Sequence, residues 1–91
     1  MIYQIVFSPT AEKGIKFLKR NEPQTYKKAM QLIFELQEHP TTGTGKPEQL
    51  KGSRSGLWSR RISQKHRLIY EIREAKITVL VLSAYGHYDH K

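Results

Sequence analysis

The sequence predicts an α+β fold, two N-terminal helices packed on a twisted antiparallel sheet, and three observations predict it. Apolar residues recur at helical spacing between Ser8 and Pro40. Beyond Pro47 they change to the strict alternation of strands. No repeat, low-complexity tract or linker divides the 91 residues, so one core is expected.

Ile2 to Phe7, rich in β-branched and aromatic residues, reads as a strand. Ser8-Pro9 closes it and starts a helix, with Ser8 as N-cap and Glu12 in the first turn. Ala11, Ile15 and Leu18 fall on one face of that helix, which ends near Asn21, and Gly14 weakens it slightly. A second helix follows Pro23. Tyr26, Met30, Ile33 and Phe34 form its apolar face, Ala29 and Leu36 widen that face, and Lys27, Lys28 and Gln31 point outward. Pro40 ends it, and Thr41 to Pro47 is a loop by composition.

Three strands come next. Over Leu57 to Ser63, Trp58, Arg60 and Ile62 share one face while Leu57, Ser59, Arg61 and Ser63 share the other, so two adjacent arginines oppose each other. Over His66 to Arg73, Leu68, Tyr70 and Ile72 alternate with Arg67, Ile69, Glu71 and Arg73. Ile77 to Ala84 is apolar on both faces, which predicts a central strand.

Sixteen Lys and Arg against eight Asp and Glu give a net charge of +8, and a polyanionic partner follows as the first expectation. The bias is concentrated: between Lys46 and Arg73 eight basic residues face only Glu48 and Glu71. There is no cysteine, which removes disulfides, thiol nucleophiles and Cys-based metal sites. The start lacks the marks of a secretion signal. The longest apolar run, Val79 to Leu82, falls far short of the roughly 20 residues a membrane span requires. A cytoplasmic protein with no membrane partner is expected.

Alternation lets Arg61 and Arg67 converge with Lys46 and Lys51 on one concave surface suited to a phosphate backbone. Tyr85 and Tyr88 offer stacking surfaces for bases beside it. Metal-free cleavage of RNA needs a base for the 2′-hydroxyl, an acid for the leaving 5′-oxygen and cations for the phosphate. Glu48, His87 and Arg67 are of the right types. On spacing alone, an exposed ion pair for Glu48 and a structural role for His87 stay open. So does a non-catalytic basic module that binds RNA through the same arginines. Other chemistries fit less well. Gly43-Thr44-Gly45-Lys46 lacks the first glycine of a phosphate loop, and Pro47 stands where that loop needs Ser or Thr. His87 and His90 have neither cysteine nor clustered carboxylates to complete a metal site, and no serine sits in a nucleophile elbow. No metal or cofactor is expected.

Three segments carry a specific resemblance: Gly45-Lys46-Pro47-Glu48-Gln49-Leu50-Lys51, Ser55-Gly56-Leu57-Trp58-Ser59-Arg60-Arg61-Ile62, and His66-Arg67-Leu68-Ile69-Tyr70. With His87-Tyr88 near the end, the sequence resembles the Txe/YoeB family, RelE-like toxins of bacterial toxin–antitoxin pairs that cleave mRNA on the ribosome. The resemblance implies a single RelE-like toxin domain over residues 1–91. It also implies Glu48 as general base, His87 as general acid, Arg67 as the cation for the phosphorane-like charge and Tyr88 as the aromatic that orients the substrate. Lys51 and Arg61 stand where the family places auxiliary phosphate contacts, with Lys46 and Tyr85 as further RNA-binding candidates. The implied partners are mRNA, the ribosome and an acidic, partly disordered Phd/YefM-type antitoxin, in a homodimer or a toxin–antitoxin hetero-oligomer that reaches promoter DNA only through the antitoxin. Two departures stand out: the tail Asp89-His90-Lys91 after the tyrosine, and Gly86 directly before His87.

Overall fold

The computed structural model describes residues 2–50 and 56–84. The chain runs β1 (Gln4–Phe7), α1 (Pro9–Asn21), α2 (Pro23–Leu36), β2 (Glu48–Gln49), β3 (Leu57–Arg61), β4 (His66–Arg73) and β5 (Lys76–Ala84). The strands form one sheet in the order β1-β5-β4-β3-β2, which puts the doubly apolar β5 inside the sheet as its composition predicts. The two helices pack on one face. Among the described residues no helix is long and apolar enough to cross a membrane.

Ser8 begins α1 as its position predicts: its Oγ accepts the Ala11 N–H at 3.0 Å. The same hydroxyl donates to the Leu80 carbonyl at 2.6 Å, and the Ser8 N–H donates to Val79 at 2.9 Å. One residue thus ends β1, caps α1 and fastens both to β5. Gly14 faces that strand, where an added Cβ would lie 3.3 Å from the Leu82 Cβ. The glycine that weakens the helical pattern is what lets helix and sheet approach.

Strands β2 to β5 pair antiparallel as expected, but β1 joins β5 in parallel, Gln4 opposite Lys76 and Phe7 opposite Val79. Nearly the whole chain separates these two strands, so no hairpin dictates their direction. Alternation reports which face a side chain takes and is silent on strand polarity. The short edge strand β2 was not among the predicted strands either.

A bulge decides how β5 is used. Ile69 pairs with Val81 but Tyr70 pairs with Val79, so β5 carries one extra residue, Leu80. The shift changes the phase of alternation. Ile77 and Val79 before the bulge, and Leu82 after it, therefore all enter the same core with Leu18, Leu32, Leu36, Leu68 and Tyr70. Each such aliphatic burial contributes about 1.5–3 kcal/mol.

Helix α2 corrects one detail of the sequence reading. Ala29, Leu32, Ile33 and Leu36 are buried, with Tyr26 and Met30 packed beside them, but Phe34 is 76% exposed. The buried arc centres between Ala29 and Leu36. Phe34 lies beyond its edge, while Leu32 takes the inward place.

Arg60, on the helix-facing side of β3, is fully buried. Its Nε donates to the Tyr70 hydroxyl at 3.2 Å. Nη1 donates to Glu35 Oε1 at 2.6 Å and to the Thr44 carbonyl at 3.2 Å. Nη2 donates to the Thr42 carbonyl at 2.7 Å and also to that of His39. All of its N–H groups are used. Tyr70 in turn donates to the Pro40 carbonyl at 2.6 Å, and burial pushes its phenol up, followed by the opposing pull of Arg60. Glu35 also accepts the Thr44 N–H at 3.2 Å. A loop without secondary structure is thereby tied to the sheet by one guanidinium.

A second tie lies at the joint of the helices. Glu22, between α1 and α2, accepts from Thr25 Oγ1 at 3.2 Å and lies 3.3 Å from His66 Nε2 at the start of β4. Desolvation pushes the Glu22 carboxyl up, but the His66 hydrogen bond and charge, then Thr25 and Lys65, outweigh it and hold it below the ordinary 4.5.

Two outcomes follow. Arg60→Met leaves Glu35 and three carbonyls without their donor and is expected to cost about 3–5 kcal/mol in urea unfolding. Arg60→Lys recovers only part of this, because an ammonium cannot replace the planar fork. For Glu22, a lowered carboxyl stabilises the fold above 4.5 and loses that effect as pH falls through its folded value. Wild type should therefore exceed Glu22→Gln in thermal stability at neutral pH, with the difference shrinking as the pH is taken below 4.5.

Candidate active site

The loop that Arg60 holds continues directly into the candidate site. The Arg61 N–H donates to the Gly45 carbonyl at 2.7 Å, so the loop lies against β3. Gly45 has φ +84°, and a Cβ there would lie 2.9 Å from the Arg61 carbonyl oxygen. Both the backbone sign and the space require glycine. Lys46 also takes a left-handed conformation, φ 50°, which costs a side-chain-bearing residue about 1–2 kcal/mol. Pro47 then fixes the entry into β2, where Glu48 pairs with Ser59 and Gln49 with Trp58. The Leu50 N–H closes the strand on the Leu57 carbonyl at 2.9 Å.

Pairing sets the faces. Arg61 stands opposite Arg67, and Glu48 opposite Ser59, two positions from Arg61 on the same strand. Partners across a ladder share a face, and so do alternate residues along a strand. Glu48, Arg61 and Arg67 therefore lie together on the face away from the helices. With Gly45, Lys46 and Pro47 they line a cleft of about 430 Å³. Glu48, Lys46 and Arg61 are exposed, and Arg67 is half-buried.

Three cations and one carboxylate thus surround a space large enough for a phosphodiester. Like charges directly across a ladder are destabilising by roughly 0.2–1 kcal/mol. The Arg61 and Arg67 pair bears that cost at a place where an anion would relieve it. Glu48 makes no ion pair within 4.0 Å with a described cation, the three described pairs being Arg60 with Glu35, His66 with Glu22 and Arg73 with Glu71. Among the described residues no group of three or more His, Cys, Asp or Glu gathers to hold a metal.

Of the sequence candidates, Lys46, Glu48, Arg61 and Arg67 come together in this cleft. Lys51, Tyr85, His87 and Tyr88 lie outside the described residues, as do Gly86 and the tail from Asp89. In β5, Ser83 pairs with Arg67 and Ala84 with His66. Sequence reasoning missed the positioning parts. Gly45 and Glu35 were not singled out by chemistry, although an arginine on an inward strand face beside Trp58 and Ile62 is a signal that a carboxylate must meet it from the helix layer.

Comparison with known proteins now identifies the class. The fold matches a YoeB/ParE toxin from Agrobacterium tumefaciens with a TM-score of 0.85 at 30% identity, covering 90% of this chain and 98% of that one. It also matches YoeB in the heterotetrameric YoeB–YefM toxin–antitoxin complex of Staphylococcus aureus, TM-score 0.79 at 32% identity over 91% of this chain and 97% of that one. In sequence, 74 residues are 40% identical to Toxin YoeB of Mycobacterium bovis, covering 81% of this chain and 87% of the relative. These likenesses define a toxin of a type II toxin–antitoxin system. The pattern of the YoeB-like toxin of bacterial type II toxin–antitoxin systems matches residues 7–88, and the chain belongs to that family.

The geometry makes a paired expectation. Gly45→Ala and Gly56→Ala both force a positive φ on a side chain, but Gly56 has nothing within 4 Å. Gly56→Ala should cost only the backbone term, about 1–2 kcal/mol. Gly45→Ala should cost more and should abolish the hydrogen-exchange protection of the Arg61 amide.

Proposed function

We propose that this toxin is a ribosome-dependent, metal-independent endoribonuclease that cuts mRNA in the ribosomal A site and so inhibits translation, residues 1–91 serving as one toxin domain in the cytoplasm. The observation that carries the reading is the cleft in which one carboxylate, Glu48, is held among Lys46, Arg61 and Arg67. A carboxylate weakens the binding of an anion, so its presence in a phosphate-sized cationic cleft has a use only if it takes a proton.

In this reading Glu48 removes the proton of the 2′-hydroxyl, and the 2′-oxygen attacks the adjacent phosphorus. Arg67 stabilises the charge that grows on the non-bridging oxygens, with Arg61, Lys46 and Lys51 holding neighbouring phosphates. The bond from phosphorus to the 5′-oxygen breaks, and His87 protonates the leaving oxygen. The products are a 2′,3′-cyclic phosphate, open to hydrolysis to a 3′-phosphate, and a 5′-hydroxyl. Tyr88 orients the substrate and Tyr85 stacks on a base. The approach of the last strand supports the acid's assignment: His87 follows Ala84 by three residues, roughly 10 Å of chain, and Ala84 pairs beside Arg67. Side-chain cations neutralise the phosphate, so no metal is needed. The toxin is restrained by an acidic Phd/YefM-type antitoxin, as YoeB is found with YefM in the relative from Staphylococcus aureus.

Primer extension on mRNA bound to programmed ribosomes, with EDTA present, tests this. Wild type should cut within the A site. Glu48→Gln should slow cleavage by about 10²–10⁴-fold, and Arg67→Ala by about 10²–10³-fold. Translational arrest without cuts would show a module that works by occupancy, and full cleavage by Glu48→Gln would remove the general base.

A further inference from the structure

Glu22 and His66 lie outside the cleft, yet the two arginines that line it flank the turn that His66 closes. Arg61 ends β3, and Arg67 follows His66 at the start of β4. Between them the chain is bonded to itself and to His66. The His66 carbonyl accepts the Ile62 N–H at 3.0 Å and the Ser63 N–H at 3.2 Å, and Ser63 Oγ accepts the N–H groups of Lys65 and His66, each at 3.2 Å. Ile62 packs into the core, but apolar burial has no direction. A polar contact must orient the turn.

His66 supplies that contact. Alternation puts it on the helix-facing side of β4 with Leu68 and Tyr70, and puts Arg67 on the cleft side. The residue is 8% exposed, and its Nδ1 is buried without a partner among the described residues. Nε2 stands 3.3 Å from Glu22 Oε1 and 3.4 Å from Oε2. A carboxylate only accepts, so Nε2 carries the hydrogen, and the contact with Glu22 sets the ring. Glu22 is itself fixed by both helices. Its N–H donates to the Leu18 carbonyl at 2.8 Å and ends α1, its carbonyl accepts the Tyr26 N–H at 2.9 Å and begins α2, and its carboxylate accepts from Thr25 Oγ1 at 3.2 Å. A rigid helix joint therefore reaches the sheet at the residue beside Arg67. Register carries the effect to the next strand, where Ala84 pairs with His66 and Ser83 with Arg67.

We propose that Glu22 and His66 are positioning residues of the cleft, which hold the start of β4 so that Arg67 meets the scissile phosphate, although neither touches RNA. This role rests on the ribonuclease reading above. A clamp on the fold alone would change stability. A positioning pair changes the rate of the bound complex, where a displacement of about 1 Å costs up to about 10²-fold.

Single-turnover cleavage on programmed ribosomes, with the ribosome concentration varied and the temperature kept where every variant is folded, separates rate from affinity. The amide of His66→Asn reaches only to the place of Nδ1. That variant and Glu22→Ala should each lower the maximal rate at least about tenfold, with the half-saturating ribosome concentration changed less than about twofold. His66→Gln, whose amide nitrogen takes the place of Nε2 and restores the donor, should recover most of the rate. The double variant should be no slower than the slower single, as expected of two residues that act through one contact. Ala29→Gly is the control. It loosens a fully buried position of α2 and lowers thermal stability, and should cut at the wild-type maximal rate. If His66→Asn and Glu22→Ala cut as fast as Ala29→Gly, the pair clamps the fold only and the proposal fails. Equal losses for His66→Asn and His66→Gln also overturn it, because the hydrogen bond to Glu22 then does not position the site. A wild type that never cuts rejects the ribonuclease reading and this role with it, whereas wild-type cleavage with unaffected variants rejects the role alone.

Discussion

Arg60 is the constraint on which the candidate site depends. Burying a guanidinium is unfavourable unless every donor is matched, and here Tyr70, Glu35 and the carbonyls of His39, Thr42 and Thr44 match them. Three of those acceptors are backbone atoms of a loop with no ladder or helix of its own. Satisfying the arginine therefore fixes the loop, and the loop delivers Gly45, Lys46 and Glu48 to the edge of the sheet. A hydrophobic residue at position 60 could fill the volume but could not dictate where residues 39–44 run. The buried charge specifies geometry.

The adjacent pair Arg60 and Arg61 shows how strand alternation divides labour. Arg60 turns into the core and organises the loop from within. Arg61 turns out, contributes its side chain to the cleft and its amide to the Gly45 carbonyl. One dipeptide thus holds the wall of the site and lines it. Strain gathers at the same place: two successive residues, Gly45 and Lys46, adopt positive φ, and two arginines face each other across the ladder. Both costs are supported by the network behind them, and both fall in the candidate cleft.

Charge is unevenly distributed over the protein. Basic residues gather around the cleft and along α1, while Lys27 and Lys28 on α2 and Arg73 and Lys76 at the other end of β4 and β5 stand apart. Glu35 and Glu22 are spent on internal ties, and Glu48 is the carboxylate left in the cleft. Of these three carboxylates, two are placed by internal contacts and the third has a use in the proposed reaction.

Much was legible in the letters. Ser8, Pro9 and the spacing of Ala11 and Leu18 determined the first helix, the alternation after Pro47 determined three strands, and Arg60 and Arg61 were set on opposite faces by periodicity alone. The charge bias of the second half, with few carboxylates besides Glu48, made a polyanionic partner the first expectation. Local pattern reports only on neighbours, however, and pairing across the chain had to decide the rest. Tertiary structure turned β1 parallel to β5, because the two are joined by no hairpin. It placed Leu82 in the same core as Val79 through a bulge at Leu80, and it left Phe34 outside. It matched Arg60 to Glu35, 25 positions away, and so drew Lys46, Glu48, Arg61 and Arg67 into one cleft. Those contacts depend on the register of separate elements, which no single stretch of sequence contains.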